Sequence, residues 1–244
     1  MSLLSFFTLN YSAQMLIIGH RGASGYEPEN TLRSFSKAIS MGVDIIELDV
    51  HACATGELVI HHDDNVHRTT NGRGNVANMT FTDLRQLKIA GSEQIPTLSE
   101  VINLVDKQVP INIELKGLDV AKPVAELIKK YMLRGWKGDD FIVSSFNHAQ
   151  VREFKSLCPT IKTGLLFSRK EIPSKIISIA QKHQANFIGL DTKTVTKDLV
   201  QIAHQAKFSV FVWTVNNKKT AYKLRSYNVD GIFTNYPDRV KNNT

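Results

Sequence analysis

Nine short apolar runs alternate with stretches of helical spacing along this chain of 244 residues, and that rhythm constrains the fold more than any other feature. The runs are Leu16 to His20, Asp44 to Val50, Leu58 to His62, Pro110 to Leu115, Phe141 to Ser145, Lys162 to Phe167, Asn186 to Leu190, Ser209 to Thr214 and Gly231 to Thr234. Strands interleaved with helices from end to end predict a mainly parallel sheet with crossover helices. The length suits one α/β barrel, but nine strands are one more than such a barrel needs. One interval resolves the surplus. Only seven residues separate Val50 from Leu58, whereas a parallel crossover takes about a dozen or more. The second and third runs therefore read as a hairpin around Thr55-Gly56. The prediction is a TIM-type (β/α)8 barrel with a β-hairpin replacing one crossover, residues 1–244 forming a single domain with its core at about 16–237.

Helix signals fill the remaining gaps. Asn30 is placed to cap a helix with Leu32, Phe35, Ala38 and Ile39 on one face, closed by Gly42. Thr97 to Val105, Val120 to Tyr131, Ala149 to Leu157, Ile176 to Ala180, Leu199 to Ala206 and Thr220 to Leu224 repeat the pattern. Asp64 to Gln94 breaks it. Thr69-Thr-Asn-Gly-Arg-Gly is turn-rich and only Phe81 to Leu87 is helical, so this stretch is either an excursion beside a site or a return to the next helix.

Composition narrows the partners. Hydrophobic residues at 42% and charged residues at 22% are globular values. A net charge of +7 invites an anionic partner. The lysines are scattered, with only short pairs such as Lys129-Lys130 and Lys218-Lys219, and no arginine-rich arm or aromatic RNA-binding signature, so no nucleic acid is expected. A small anionic substrate fits the charge. Cys53 and Cys158 lie far apart outside any C-x-x-C pair, which argues against a zinc or redox motif and for a reducing compartment. The opening Met1-Ser-Leu-Leu-Ser-Phe-Phe-Thr-Leu lacks the basic residues of a signal peptide and is too short to span a bilayer. The expectation is a soluble, cytoplasmic protein with no stable membrane insertion, its oligomeric state open.

Chemistry concentrates at predicted strand ends. Side chains two apart on a strand share a face, so Glu47 and Asp49 point together out of an apolar run. Burying two carboxylates is costly without a cation, and an all-oxygen site suits Mg2+ or Ca2+, with Mn2+ a third choice. The hairpin brings Asp49 opposite His61 or His62. Ile17-Ile-Gly-His-Arg-Gly puts His20 and Arg21 at a strand's C-terminal end, where barrel active sites lie, and Arg21 offers a fork of donors suited to phosphate. Glu114 and Lys116 repeat the geometry one strand on. Three carboxylates and a phosphodiester sum to about −4, which a divalent cation, Arg21 and Lys116 restore. His20 and His62 divide the remaining labour as base and acid in either order, each worth about 100- to 10,000-fold.

His20-Arg-Gly, Pro28-Glu-Asn-Thr, Glu47-Leu-Asp, His62-Asp, Arg68-Thr-Thr-x-Gly, Glu114-Leu-Lys, Ser144-Ser-Phe, Trp213-Thr-Val-Asn and Asp230-Gly-Ile follow one another in an order that resembles the glycerophosphodiester phosphodiesterase family. The resemblance covers about residues 16 to 237. It implies a TIM-type barrel of lipid and glycerol metabolism that hydrolyses glycerophosphodiesters to sn-glycerol 3-phosphate and an alcohol with Mg2+ or Ca2+. It carries metal binding onto Glu47, Asp49 and Glu114, acid/base catalysis onto His20 and His62, and phosphate contacts onto Arg21 and Lys116. Cys53-Ala-Thr-Gly departs from the family's usual Thr-x-Asp-Gly at the hairpin, and Val66 stands where leucine is common. The His-Asp match selects His62 over His61 for the site. His51 is expected at a polar strand end or the site's rim, and His148, His183 and His204 at the surface. Trp213 is a candidate wall for the glycerol moiety, with Phe146 similar and Asn216 a polar alternative. A lysophospholipase D-like enzyme would use the same site beside an apolar groove or membrane-binding helix. A non-catalytic phosphate-binding descendant would have lost a histidine or a carboxylate, and all five are present.

Overall fold

The computed structural model describes residues 15–168 and 172–241; the opening apolar run lies outside them. The strands are β1 (Leu16–Gly19), β2 (Ile45–Ala52), β3 (Leu58–Ile60), β4 (Ile111–Leu115), β5 (Phe141–Ser145), β6 (Lys162–Phe167), β7 (Phe187–Asp191), β8 (Ser209–Trp213) and β9 (Gly231–Thr234). Their order is β1-β9-β8-β7-β6-β5-β4-β2, and a β1–β2 pairing closes the ring. Every pairing around the ring is parallel. β3 stands outside it, antiparallel to β2, with Val50 opposite Ile60 and Ala52 opposite Leu58. The short link thus does what its length demands: Gly56, at φ +93, makes the turn and donates its N–H to the Cys53 carbonyl.

The helices are α1 (Leu32–Ser40), α2 (Phe81–Gln86), α3 (Leu98–Val105), α4 (Ala121–Met132), α5 (His148–Leu157), α6 (Pro173–Lys182), α7 (Lys197–Gln205), α8 (Lys218–Ser226) and α9 (Pro237–Val240). The alternation along each strand splits the core. Ile17, Ile46, Ile113, Val143 and Leu165 pack outward with helix residues such as Phe35, Val101, Val124 and Phe154. Ile18, Ile45, Ile142, Phe187, Phe211 and Phe233 form a separate cluster made only of strand side chains, which fills the barrel interior. Glu47 and Asp49 share the parity of Ile45, so the interior changes from apolar to acidic toward the strands' C-terminal ends.

Gly164 admits the Phe187 ring to that interior, because a Cβ there would stand 2.0 Å from the ring's Cζ. Gly164→Ala is expected to cost about 1–3 kcal/mol by overpacking. A denaturant midpoint unchanged from wild type would show instead that Phe187 has room to move.

Two local expectations are corrected. Thr31, not Asn30, caps α1, its Oγ1 accepting from the Ser34 N–H at 3.2 Å. Asn30 is buried with φ +58, and its Nδ2 donates to Asp49 Oδ2 at 2.8 Å. Adjacent residues that both cap well are indistinguishable by spacing, and the carboxylate's need for a donor claims the asparagine. The third run also stops short, at Ile60, leaving both following histidines off the strand. The stretch from Asp64 to Gln94 is not a bare return loop. Val66, Val76, Leu84 and Ile89 join Cys53 and Val59 of the hairpin in a third buried cluster, so the excursion is packed beside the mouth of the barrel.

Candidate active site

Each strand that closes the first third of the barrel ends in chemistry. β1 runs into His20 and Arg21, β2 carries Glu47 and Asp49, and β4 carries Glu114 next to its last residue, with Lys116 just beyond the strand. Register places Asp49 directly beside Glu114 and Glu114 beside Ser144 of β5. The three carboxylates are buried and offer oxygens within 4.8 Å of one another. One cavity is lined by His20, Arg21, Glu47, His62, Asn112, Glu114, Lys116, Ser144, Phe146, Leu166, Trp213, Thr214 and Phe233.

The acidic cluster is short of donors. The Arg21 backbone N–H donates to Glu47 Oε2 at 2.8 Å, and Asn30 serves one oxygen of Asp49. Asp49 Oδ1 is buried with no partner. Arg21 Nε lies 3.2 Å from Asp49 Oδ2 and Lys116 Nζ 3.1 Å from Glu114 Oε1, yet neither contact is aligned as a hydrogen bond. Burial first, and then the charges of Asp49 and Glu114, push Glu47 well above the ordinary carboxylate range. The same causes, burial and then Asp49, lift Glu114 to about 7. Three hard oxygen donors, with Asp49 Oδ1 and Glu114 Oε1 both lacking a hydrogen-bond partner, fit a divalent cation of the Mg2+ or Ca2+ kind.

The two histidines are held differently. His20 Nδ1 donates to Asn235 Oδ1 at 2.7 Å, which leaves Nε2 bare. Burial and then the Arg21 charge bring His20 down to about 4. His62 Nδ1 donates to Asp63 Oδ1 at 2.5 Å, and its Nε2 lies 3.3 Å from Lys116 Nζ. His61 turns away: its Nδ1 donates to the Asp63 carbonyl at 2.8 Å and its Nε2 accepts from Thr69 Oγ1 at 2.9 Å. The opposite wall is apolar, with Phe146 and Trp213 meeting edge to face at 5.5 Å and Lys116 Nζ 5.8 Å from the Phe146 ring centre. Trp213 Nε1 is buried without a partner beside this wall, a donor to spare.

Other expectations land elsewhere. His51 is buried, its Nε2 3.4 Å from the His62 carbonyl, because β2 continues past Val50 and Gly117 packs against it. Asn216 accepts from the Asn235 N–H and so holds a neighbour of the site without lining the cavity. His148, His183 and His204 are half-buried groups at the surface: His148 meets the Leu166 carbonyl at 3.0 Å and His204 meets Asp230 at 2.7 Å. Asn112, Asn235 and Glu29 were missed. Asn112 carried a signal, the parity of Glu114 in an apolar strand, whereas Asn235 reaches His20 across 215 residues with none.

Paired cations, imidazoles and an acidic cluster at the mouth of a parallel α/β barrel define a barrel hydrolase acting on a phosphate ester. More narrowly, the chain belongs to the glycerophosphoryl diester phosphodiesterase family, whose sequence model matches residues 20–239, and it is a phosphoric diester hydrolase. The Bacillus subtilis (strain 168) protein YhdW is 37% identical, the match covering 93% of this chain and 96% of that one. The glycerophosphodiester phosphodiesterase of Caldanaerobacter subterraneus subsp. tengcongensis is 36% identical, with 93% and 96% covered. A phosphodiesterase of Oleispira antarctica, solved in complex with the product sn-glycerol-3-phosphate, superposes with a TM-score of 0.86 at 30% identity, over 94% of this chain and 96% of that one.

Proposed function

We propose that this chain hydrolyses glycerophosphodiesters such as glycerophosphocholine and glycerophosphoethanolamine to sn-glycerol 3-phosphate and the free alcohol. One observation carries the reading: a single cavity is lined by His20, His62, Arg21, Lys116 and two of the three clustered carboxylates. The sn-glycerol-3-phosphate held by the Oleispira relative is the product this chain would release.

Glu47, Asp49 and Glu114 would hold one divalent cation, Mg2+ or Ca2+. Bound there, it would polarise the phosphoryl oxygens and offset developing charge. Arg21 and Lys116 bind the phosphate's remaining charge, the first as a fork and the second as a point charge. His20, neutral at working pH and with Nε2 bare, takes the proton from the attacking hydroxyl. His62, oriented by Asp63, gives a proton to the leaving alkoxide. Trp213 and Phe146 present an apolar wall to the glycerol carbons. The net charge suits an anionic substrate. Among the described residues no helix is long and apolar enough to cross a membrane.

Incubation with glycerophosphocholine should release glycerol 3-phosphate, read by a coupled glycerol-3-phosphate dehydrogenase assay, and a chelator should stop it. No release with Mg2+, Ca2+ or Mn2+ supplied would end this reading.

A further inference from the structure

Arg68 belongs to the excursion after the hairpin, 44% of its side chain is exposed, and it touches no residue of the acidic cluster. Its guanidinium nevertheless closes a chain of charges into the cavity. Nη1 and Nη2 donate to the two oxygens of Glu29 at 2.9 and 2.6 Å, while Nε donates to Asp63 Oδ2 at 2.5 Å. The other oxygen of Asp63 accepts from His62 Nδ1. The other end of the chain is Arg21, whose Nη1 donates to Glu29 Oε1 at 2.9 Å. We infer that Arg68 is a positioning residue: by holding Asp63, it fixes the ring orientation with which His62, bonded to Asp63 through Nδ1–H and acting as the imidazolium, presents Nε2–H to the leaving group.

The surroundings are built to keep Arg68 in place. Val66, two residues before it, is fully buried in the excursion's core, and the Thr70 N–H and hydroxyl both bond the Val66 carbonyl. Thr69 is tied to His61, which in turn holds the Asp63 carbonyl. Burial keeps His61 below its ordinary value, as that pair of bonds requires of a neutral ring. Arg68 and Asp63 are therefore pinned to one short stretch of backbone. Burial pushes Glu29 up, but the hydrogen bonds from Arg68 and the charge of Arg21 outweigh it and bring the carboxyl down to about 2, so the anchor stays charged. Exposed ion pairs contribute little to stability, which leaves geometry as what this one supplies. Three bonds from one planar fork are also something lysine cannot reproduce.

The inference rests on His62 acting as the acid, and a double-mutant cycle separates the two. R68Q, R68K, H62A and H62A/R68Q are compared on glycerophosphocholine and on the p-nitrophenyl ester of glycerol 3-phosphate, whose leaving group needs no proton. H62A alone tests the acid assignment. R68Q should lower kcat on glycerophosphocholine by about 10- to 100-fold, with KM within about threefold and Tm within about 4 °C. R68K should recover little. On the p-nitrophenyl ester the loss should vanish, and in the H62A background R68Q should change the rate by less than about twofold. Losses that multiply in the double variant, or a wild-type kcat in R68Q, would overturn the inference even with the acid assignment intact. Should R68Q prove too unstable to purify, R68K carries the same comparison.

Discussion

His62→Ala should slow glycerophosphocholine hydrolysis by about 100- to 10,000-fold while sparing the p-nitrophenyl ester, and His20→Ala should slow both substrates alike. The asymmetry follows from what each ring can do. His20 is neutral, with Nδ1–H spent on Asn235 and Nε2 free to accept, so it serves whichever ester is attacked. His62 is held by Asp63 with its other nitrogen beside Lys116, and in the proposed mechanism that nitrogen would supply the proton a departing alkoxide needs. An aryl oxide leaves without help, so the acid becomes dispensable. Initial rates of the two variants on the two substrates are the measurement. Equal losses in His62→Ala would exchange the two roles, and near-normal rates in either variant would remove that residue from acid/base work. Both rings sit on loop ends beyond strands, so folded protein is expected from both variants, checked by circular dichroism.

Much of the fold is legible in the sequence because a local rule carries global information. A seven-residue link forces a hairpin whatever surrounds it, and the period of a strand puts Glu47 with Asp49 and Glu114 with Lys116 without knowledge of the fold. Strand ends in a parallel barrel converge, so residues 20, 47, 49, 114 and 116 became neighbours on topology alone. What stayed illegible depends on pairing across distance. Nothing near Asn30 says that Asp49 will claim its amide, and nothing near Asn235 says that it will set the tautomer of His20. Arg68 was visible as part of a motif, but its task follows only from three hydrogen bonds reaching Glu29 and Asp63 from an irregular segment. His51 stands one residue from the end of β2, as read, but its burial there was not legible, because it depends on Gly117 of a distant segment packing against it.

Asp49→Asn should abolish activity and, more tellingly, abolish stabilisation by divalent cations. In the wild type, a cation that binds only the folded state adds about 2.7 kcal/mol at 100 times its Kd, a rise in Tm of roughly 5–10 °C for a chain of this size. That gain needs the orphaned Asp49 Oδ1 alongside Glu47 and Glu114. The substitution keeps the shape and lets a carbonyl accept from Asn30 as Asp49 Oδ2 does now, so the fold loses little. Without a cation the variant should be at least as stable as the wild type, because the Asp49 charge that helps push Glu47 and Glu114 above their ordinary values is gone. Thermal melts with chelator, Mg2+, Ca2+ and Mn2+ therefore read two opposite signs from one residue: wild type below or level with the variant when stripped, and above it when loaded. A wild-type Tm indifferent to all three cations, or a variant that still responds to them, would take the metal away from this cluster and return Glu47 and Glu114 to proton chemistry.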